Sequence, residues 1–543
     1  MTADAVRTLA EDFWSWRSET SFWTSDDIPR IDHEPGWMPD FSRTSIDDRR
    51  SRAAEFLERW RALDAGDAPV PVQVDHRLLG SAMQRVVWEV DVLRNWEKNA
   101  VFLIGQVLGP WFDLLVQRPP FSPSRQAGLV TVCDAIPGRL DQAWSHLEEH
   151  GVAALARVAV ELLTGIDDRF ATSARELAPF IESDVARELD RLAPTASRAL
   201  EAFRRKLERQ IPQLAPSTPV GREQFVWFLR NVALLPDEPE ELVRAARQDY
   251  RRAVMSELVS SHRRRADDRS IAFSTAAEQV AHQAMQEQQV RDFLEDEGLL
   301  TQPDSLGRYH IAPMPPYLAP LTWLAVTDDL TSEHRLDQDG VSYCPHPSES
   351  LPYFYVANAM DPRLGIVHEG AHYKQLALSW ANPNPVRRHY YDSVANEGIA
   401  FYNEELMLLA GLFDDHPASE PVIHNFNRLR SLRVIADVNL ATGEFSLEQA
   451  IDHFVNLVPM DRETAVGESA MYLATPGLAM SYHVGKMQLV RLLTDATLAQ
   501  GQDFSLRQFH DYVWRNGNVP YSLQRWELLG DRSDVDLLDA ASG

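Results

Sequence analysis

The sequence predicts a mainly α-helical protein with a small β element just ahead of a histidine-bearing helix. Three observations carry that expectation. Apolar residues recur at helical spacing through most of the first three hundred residues and again after residue 405. β-signals are nearly absent from the first of these stretches. Composition changes at Leu306, where prolines and aromatics gather as RYHIAPMPPYLAPLTWLAV and then YCPHPSESLPYFYVANAMDPR.

In chain order, a short helix EDFWSWRSE leads into an irregular Pro/Trp-rich stretch ending in PGWMPDFS. Periodicity then predicts helices over 46–65, 76–99, 137–163, 173–192, 195–211, 222–235, 238–262 and 275–297. The most apolar run, 100–116, is interrupted by Gly105, Gln106, Gly109, Pro110 and Asp113, so it reads as a buried helix rather than a bilayer span. The basic cluster at 262–265 reads as a solvated helix end, where cations suit the dipole. Residues 321–326 and 353–357 are short, aromatic and β-branched between prolines, and read as strands. Such a pair either offers an edge to an extended substrate or simply packs on the next helix. Helices follow over 404–412, 424–440, 446–457, 462–472, 476–499 and 506–515, with Ser446 and Ser505 as N-caps. The expected organisation is a helical N-terminal half, 1–304, and a catalytic half, 305–543, in one compact unit.

Charge and cysteine usage narrow the function. Of 543 residues, 80 are acidic and 53 basic, a net charge of −27, which argues against nucleic-acid binding and against a polybasic membrane anchor. Two distant cysteines, Cys133 and Cys344, make no disulfide framework, and the N-terminus has no basic start followed by an apolar core. A reduced, cytoplasmic setting is expected. Oligomeric state is not legible.

The run from Leu364 to Glu405 carries the chemistry. His368, Glu369 and His372 form H-E-x-x-H, and Glu397 follows 25 residues after the second histidine. Residues four apart on a helix lie about 40° apart around the axis, so both imidazoles leave from one face. Two such imidazoles bind one side of a zinc ion, and Glu397 from a second helix supplies a third ligand. The fourth position stays open, as catalytic zinc requires. Glu369 then stands beside the first ligand, where a general base belongs. The plainer alternative is a buried amphipathic helix, since Ile366, Val367, Ala371, Leu376 and Leu378 are apolar. In such surroundings two histidines and a glutamate are costly without a partner, which favours the metal.

Four further blocks lie downstream: Glu397-Gly398-Ile399-Ala400-Phe401-Tyr402-Asn403-Glu404; Arg433 and Asp437 followed by FSLEQA; Pro476, Tyr482, Gly485 and Lys486; and Phe504, Phe509, His510 and Asp511 with Gly517 and Pro520. Together they resemble the bacterial family catalogued as domain of unknown function 885 (DUF885), a group similar to helical zinc peptidases of the glutamate-zincin type. The resemblance spans most of the chain, with specific motifs from about residue 365 onward. It implies a large helical zincin-like fold, with two helical halves around a deep cleft. It also implies an oxyanion-stabilising tyrosine in the C-terminal helices; Tyr482 is the candidate, with His483 and His510 as alternatives. Two departures bear on the substrate more than on the metal. The family's histidine motif usually reads H-E-A-x-P-G-H-H, two residues longer than HEGAH here. Ile399 and Ala441 replace a family tryptophan and histidine.

The expected activity is zinc-dependent hydrolysis of peptide (amide) bonds in short peptides. The metal would be held by His368, His372 and Glu397, with Glu369 as base and Tyr482, His483 or His510 assisting. Asp392, Asn396 and Glu404 are near enough in sequence to orient the imidazoles. Lys486 and Arg433 are candidates for a substrate carboxylate, with paired structural roles the plainer account. A non-peptide amide substrate and a silent metal-binding scaffold are the alternatives.

Overall fold

The computed structural model describes residues 2–24, 31–216, 219–263, 273–348, 351, 353–458 and 460–542. Helix makes up 71% of the chain, as the periodicity predicts. Several helices lie where the pattern puts them, among them Ala100–Val116, Arg222–Asn231, Pro239–Arg263, Ala276–Asp296 and Leu506–Arg515. Ser446 caps Leu447–Leu457 in a reciprocal box with Gln449, satisfying two otherwise orphaned donors. Of the basic cluster, His262 and Arg263 close the helix Pro239–Arg263, and residues 264–265 lie outside the described residues.

Three boundaries differ. The run expected over 76–99 is Val70–Val87, a π-helical turn Trp88–Leu93 and a short helix Asn95–Lys98, broken at Arg94, whose φ is 51°. The run over 137–163 is two helices, Pro123–His150 and Ala153–Leu162, parted at Gly151. The run expected over 173–192 is split, its first residues ending the helix Ile166–Glu176, and the rest joins the run over 195–211 in one helix past Pro194, Ser183–Gln210. Its buried stripe of Leu189, Leu192, Ala196, Leu200, Phe203 and Leu207 runs straight past the proline. Burial of that stripe outweighs the roughly 3 kcal/mol that an internal proline costs.

The β element is real but is built from other residues. Strands β1 (Tyr309–Pro313), β2 (Asp328–Asp329) and β3 (Gly340–Cys344) form one sheet in the order β1-β3-β2. β1 runs parallel to β3, with Tyr309 opposite Gly340, and β2 runs antiparallel, with Asp328 opposite Ser342. The two expected strands are not strands. Residues 321–326 are turns that follow the 3-10 segment Ala319–Leu321, with Leu321 and Leu324 buried as plugs. Residues 353–357 begin a helix, Tyr353–Met360, whose Ala357, Ala359 and Met360 are buried. An aromatic, β-branched run makes a strand only when an edge is there to pair with, and these runs have none.

The core is divided by packing rather than by chain order. The largest cluster joins the first two hundred residues to Tyr317, Val341, Val519, Leu523, Trp526, Val535 and Leu538. A second packs Phe225–Ala246 side chains against Leu429, Val434, Phe454 and Met480. A third joins Val290 and Leu294 to Val367, Ile399, Leu489 and Trp514. A small fourth cluster, Leu306, Tyr309, Tyr373, Leu376 and Trp380, seats the sheet on the histidine helix. The histidine helix therefore lies between the third and fourth clusters, and the Glu397 helix between the second and third.

The helices Ser393–Ala410 and Ser481–Gln500 cross where Gly398 meets Gly485. A Cβ on Gly398 would strike the Gly485 backbone, and one on Gly485 would fall on the carbonyl oxygen of Val394. Backbone cannot step aside as a side chain can. Gly485→Ala is therefore expected to destabilise the fold by about 3 kcal/mol or more. Gly138→Ala, exposed in the helix Pro123–His150 with nothing near its Cβ, should stabilise it by up to about 1 kcal/mol. Denaturant unfolding of both variants checks the contrast, and a neutral Gly485→Ala would contradict the crossing.

Candidate metal centre

His368 is the last residue before the helix Glu369–Trp380, and His372 lies one turn inside it. The His372 N–H donates to the His368 carbonyl at 3.3 Å, so the motif closes its own first turn. The rings stand 5.0 Å apart, nearly perpendicular at 86°. Glu397 enters from the helix Ser393–Ala410, which Asp392 caps through the Val394 N–H at 3.2 Å. Asn403, on that same helix, donates to the Val367 carbonyl at 2.7 Å and so pins the chain just ahead of His368.

These elements bring three donor atoms together. Glu397 Oε2 lies 3.3 Å from His372 Nε2 and 3.7 Å from His368 Nε2. Ligand atoms about 2 Å from one zinc ion in tetrahedral geometry stand about 3.3 Å from each other, so the spacing fits a shared ion. Glu369 also reaches both imidazoles, its ligand atom within 4.8 Å of theirs. Both carboxylates are thus in reach of an ion shared with the imidazoles, Glu397 from the neighbouring helix and Glu369 from the histidine helix itself. His372 Nδ1 and Nε2, Glu397 Oε2 and Glu369 Oε2 are buried without a hydrogen-bond partner. Orphaned polar atoms are rare in folded proteins because each costs its desolvation. Four in one cluster of metal-ligating side chains fit a cation.

Electrostatics point the same way. Burial works against charging His368, but Glu369, Glu397 and Glu404 around it push it up to about 10. Burial would raise Glu397, yet the two imidazoles hold its carboxyl well below the usual range. Glu404 accepts from His368 Nδ1 at 2.7 Å and from Arg430 Nη2 at 3.1 Å through one oxygen. Three carboxylates, Glu369, Glu397 and Glu404, thus act on His368, with Glu404 paired to the Arg430 guanidinium, a concentration of negative charge that suits a divalent cation.

Of the other residues expected at the site, Tyr482 is there. Its ring lies parallel to His368, at 12° and 6.3 Å, with the Arg433 guanidinium 4.6 Å over its face. Arg433 is itself held by both oxygens of Glu468, at 2.9 and 2.7 Å. Asp437, one turn on, accepts the Gly477 and Met480 N–H groups and fixes the turn before the Tyr482 helix. The Arg433 and Asp437 motif residues therefore position Tyr482. Lys486 is likewise committed, to Glu405 and to Asn427 at 3.0 Å.

The two histidine alternatives are engaged elsewhere. His483 pairs with Asp249 on the helix Pro239–Arg263 at 2.7 Å. His510 has both ring nitrogens occupied, by the Leu299 carbonyl at 2.7 Å and the Tyr402 hydroxyl at 2.9 Å. Among the residues named as possible supports, Glu404 touches His368. Asp392 serves as a helix cap, and the buried Asn396 side chain makes no hydrogen bond.

Sequence reasoning missed the opposite wall. Asp328, on β2, accepts from the Tyr309 hydroxyl at 3.1 Å. Its carboxyl is pushed up to about 7 by burial and then by the charge of Glu369. Tyr355, joined to Thr327 at 3.4 Å, also feels Glu369. Arg430 was missed as well. No motif spacing marks these residues, because they reach the site through the sheet and a neighbouring helix.

The family model for a bacterial protein of unknown function, DUF885, matches residues 31–528. The chain belongs to the DUF885 family. No curated protein matches it. Two solved structures are similar to this family member over nearly their whole lengths. One is a candidate lipoprotein of unknown function from Shewanella oneidensis, 14% identical, with TM-score 0.72, covering 97% of this chain and 100% of that one. The other is a candidate lipoprotein from Colwellia psychrerythraea, also 14% identical with TM-score 0.72, covering 99% of each. At that identity the likeness establishes the shared fold.

The arrangement around Tyr482 is testable by itself. Arg433→Met leaves Glu468 buried without its cation and should cost about 3 kcal/mol of stability. Urea denaturation reads the loss; wild-type stability in that variant would remove the positioning role of Arg433.

Proposed function

We propose that this DUF885 protein is a metal-dependent hydrolase of peptide bonds in short peptides, with zinc held by His368, His372 and Glu397. The observation that carries the reading is the convergence of two Nε2 atoms on one Glu397 oxygen, with Glu369 Oε2 buried and unpartnered in the same helical turn. Zinc bound there supplies Lewis-acid chemistry, acidifying water and polarising a carbonyl. Glu369 takes the proton from the attacking water and returns it to the leaving nitrogen. The Tyr482 hydroxyl donates to the oxygen that becomes negative as the carbonyl is attacked. Glu404 accepts from Nδ1 of His368, which keeps the imidazole oriented.

Burial supports a small substrate. His372 is fully buried and His368 is 7% exposed, so a folded protein has no approach to them in this conformation.

Purified protein is expected to hold one zinc per chain and to cleave members of a short-peptide library. Glu369→Gln should keep its metal and lose about 10²–10⁴-fold in kcat. Tyr482→Phe should lose about 10²–10³-fold in kcat with metal content unchanged. Elemental analysis and steady-state kinetics check all three. Metal-free wild type, or full activity in Glu369→Gln, would end the proposal. Cleavage of small non-peptide amides alone would keep the chemistry and change the substrate.

A further inference from the structure

We propose that Arg430 is a positioning residue for the metal centre, holding the Glu404 carboxylate so that His368 presents Nε2 toward Glu397 and His372. The inference rests on the metal-binding reading of that cluster and adds a residue that no motif contains.

Arg430 lies on the helix Ser419–Thr442 and is buried, as are Glu404 and His368. One oxygen of Glu404, Oε1, receives both the Arg430 Nη2–H at 3.1 Å and the His368 Nδ1 contact at 2.7 Å. A carboxylate has no proton to give, so Nδ1 is the donor of that bond. A metal takes the neutral imidazole, which has one N–H, and placing that N–H on Nδ1 leaves the lone pair on Nε2. Nε2 is the nitrogen that stands 3.7 Å from Glu397 Oε2. The tautomer and the ring orientation of His368 thus depend on where Glu404 is held.

Arg430 is what holds it. The guanidinium is wedged among aromatic rings, 4.9 Å from the centre of Phe426, 5.5 Å from Phe401 and 5.6 Å from Tyr482. Its Nε and Nη1 have no hydrogen-bond partner, so its directional bonding is spent on Glu404. Lys486, the other cation near Glu404, is committed to Glu405 and Asn427. His372 has no equivalent support, since its Nδ1 is unpartnered. The two histidines are therefore unequal, and the arm through Glu404 to Arg430 is the one that orients the pair. A flat cation stacked on rings is a task for arginine; lysine supplies the charge without the plane.

The test measures metal binding rather than turnover. Zinc affinity by chelator competition and the absorption spectrum of the cobalt-loaded protein are compared for wild type, Arg430→Met, Arg430→Lys, Glu404→Gln and the Arg430→Met/Glu404→Gln pair. Arg430→Met is expected to weaken zinc binding by about 10–100-fold and to alter the cobalt spectrum, with Arg430→Lys between it and wild type. In the Glu404→Gln background, Arg430→Met should add less than about twofold, because its effect passes through Glu404. Unchanged affinity and spectrum in Arg430→Met, or an equal loss in both backgrounds, would overturn the assignment. If Arg430→Met does not fold, Arg430→Lys alone must show weakened zinc binding at wild-type circular dichroism, and wild-type affinity there overturns it too. Wild-type protein that takes up neither zinc nor cobalt would instead bring down the metal-binding reading on which the inference stands.

Discussion

The contact between Gly398 and Gly485 sets the geometry on which the rest of the centre depends. Helices usually keep their axes about 8–10 Å apart because side chains lie between them. Here backbone meets backbone, and the Glu397 helix settles directly onto the helix that bears Tyr482. That crossing brings a ligand candidate and an aromatic hydroxyl to one place without any flexible side chain in the joint. The histidine turn is then fastened to the same pair of helices, by Asn403 to the Val367 carbonyl and by Glu404 to His368. Three elements thus meet in a fixed relation, which suits chemistry that tolerates little displacement.

Charge inside the molecule is matched in more than one way. Several buried acids have a cation against them, Glu468 with Arg433 and Asp361 with Arg363, while Asp437 is held by backbone N–H groups. Glu397 has two imidazoles against it, and Glu369 shares its surroundings with Asp328 and Tyr355. Structural ion pairs offset the cost of desolvation by pairing. A cluster that leaves its oxygens and nitrogens unmatched is spending stability on something other than the fold.

Much of this was legible in the chain. HEGAH and Glu397 named the cluster, and the cap at Ser446 and the apolar run at 100–116 named their helices, because each signal is local. The strands were misplaced because pairing, not composition, decides which aromatic run becomes one: Tyr309 and Ile311 alternate inward beside β3, while residues 353–357 have no neighbour to pair with. Arg430 and Asp328 escaped for a related reason. Each matters through a partner on another element, at a spacing that no motif marks. His483 and His510 look like site residues by type, and only their partners, Asp249, Leu299 and Tyr402, reveal structural employment.

The division of the core also bears on how the chain is made. The cluster built by the first two hundred residues is completed by Val519, Leu523, Trp526, Val535 and Leu538. At a synthesis rate of about 5–20 residues per second, those side chains emerge about 15–60 s after the helices they cover. For that interval the apolar side chains that Val519, Leu523, Trp526, Val535 and Leu538 cover in the finished fold lack those neighbours. The N-terminal cluster is therefore completed only when that last segment has been made.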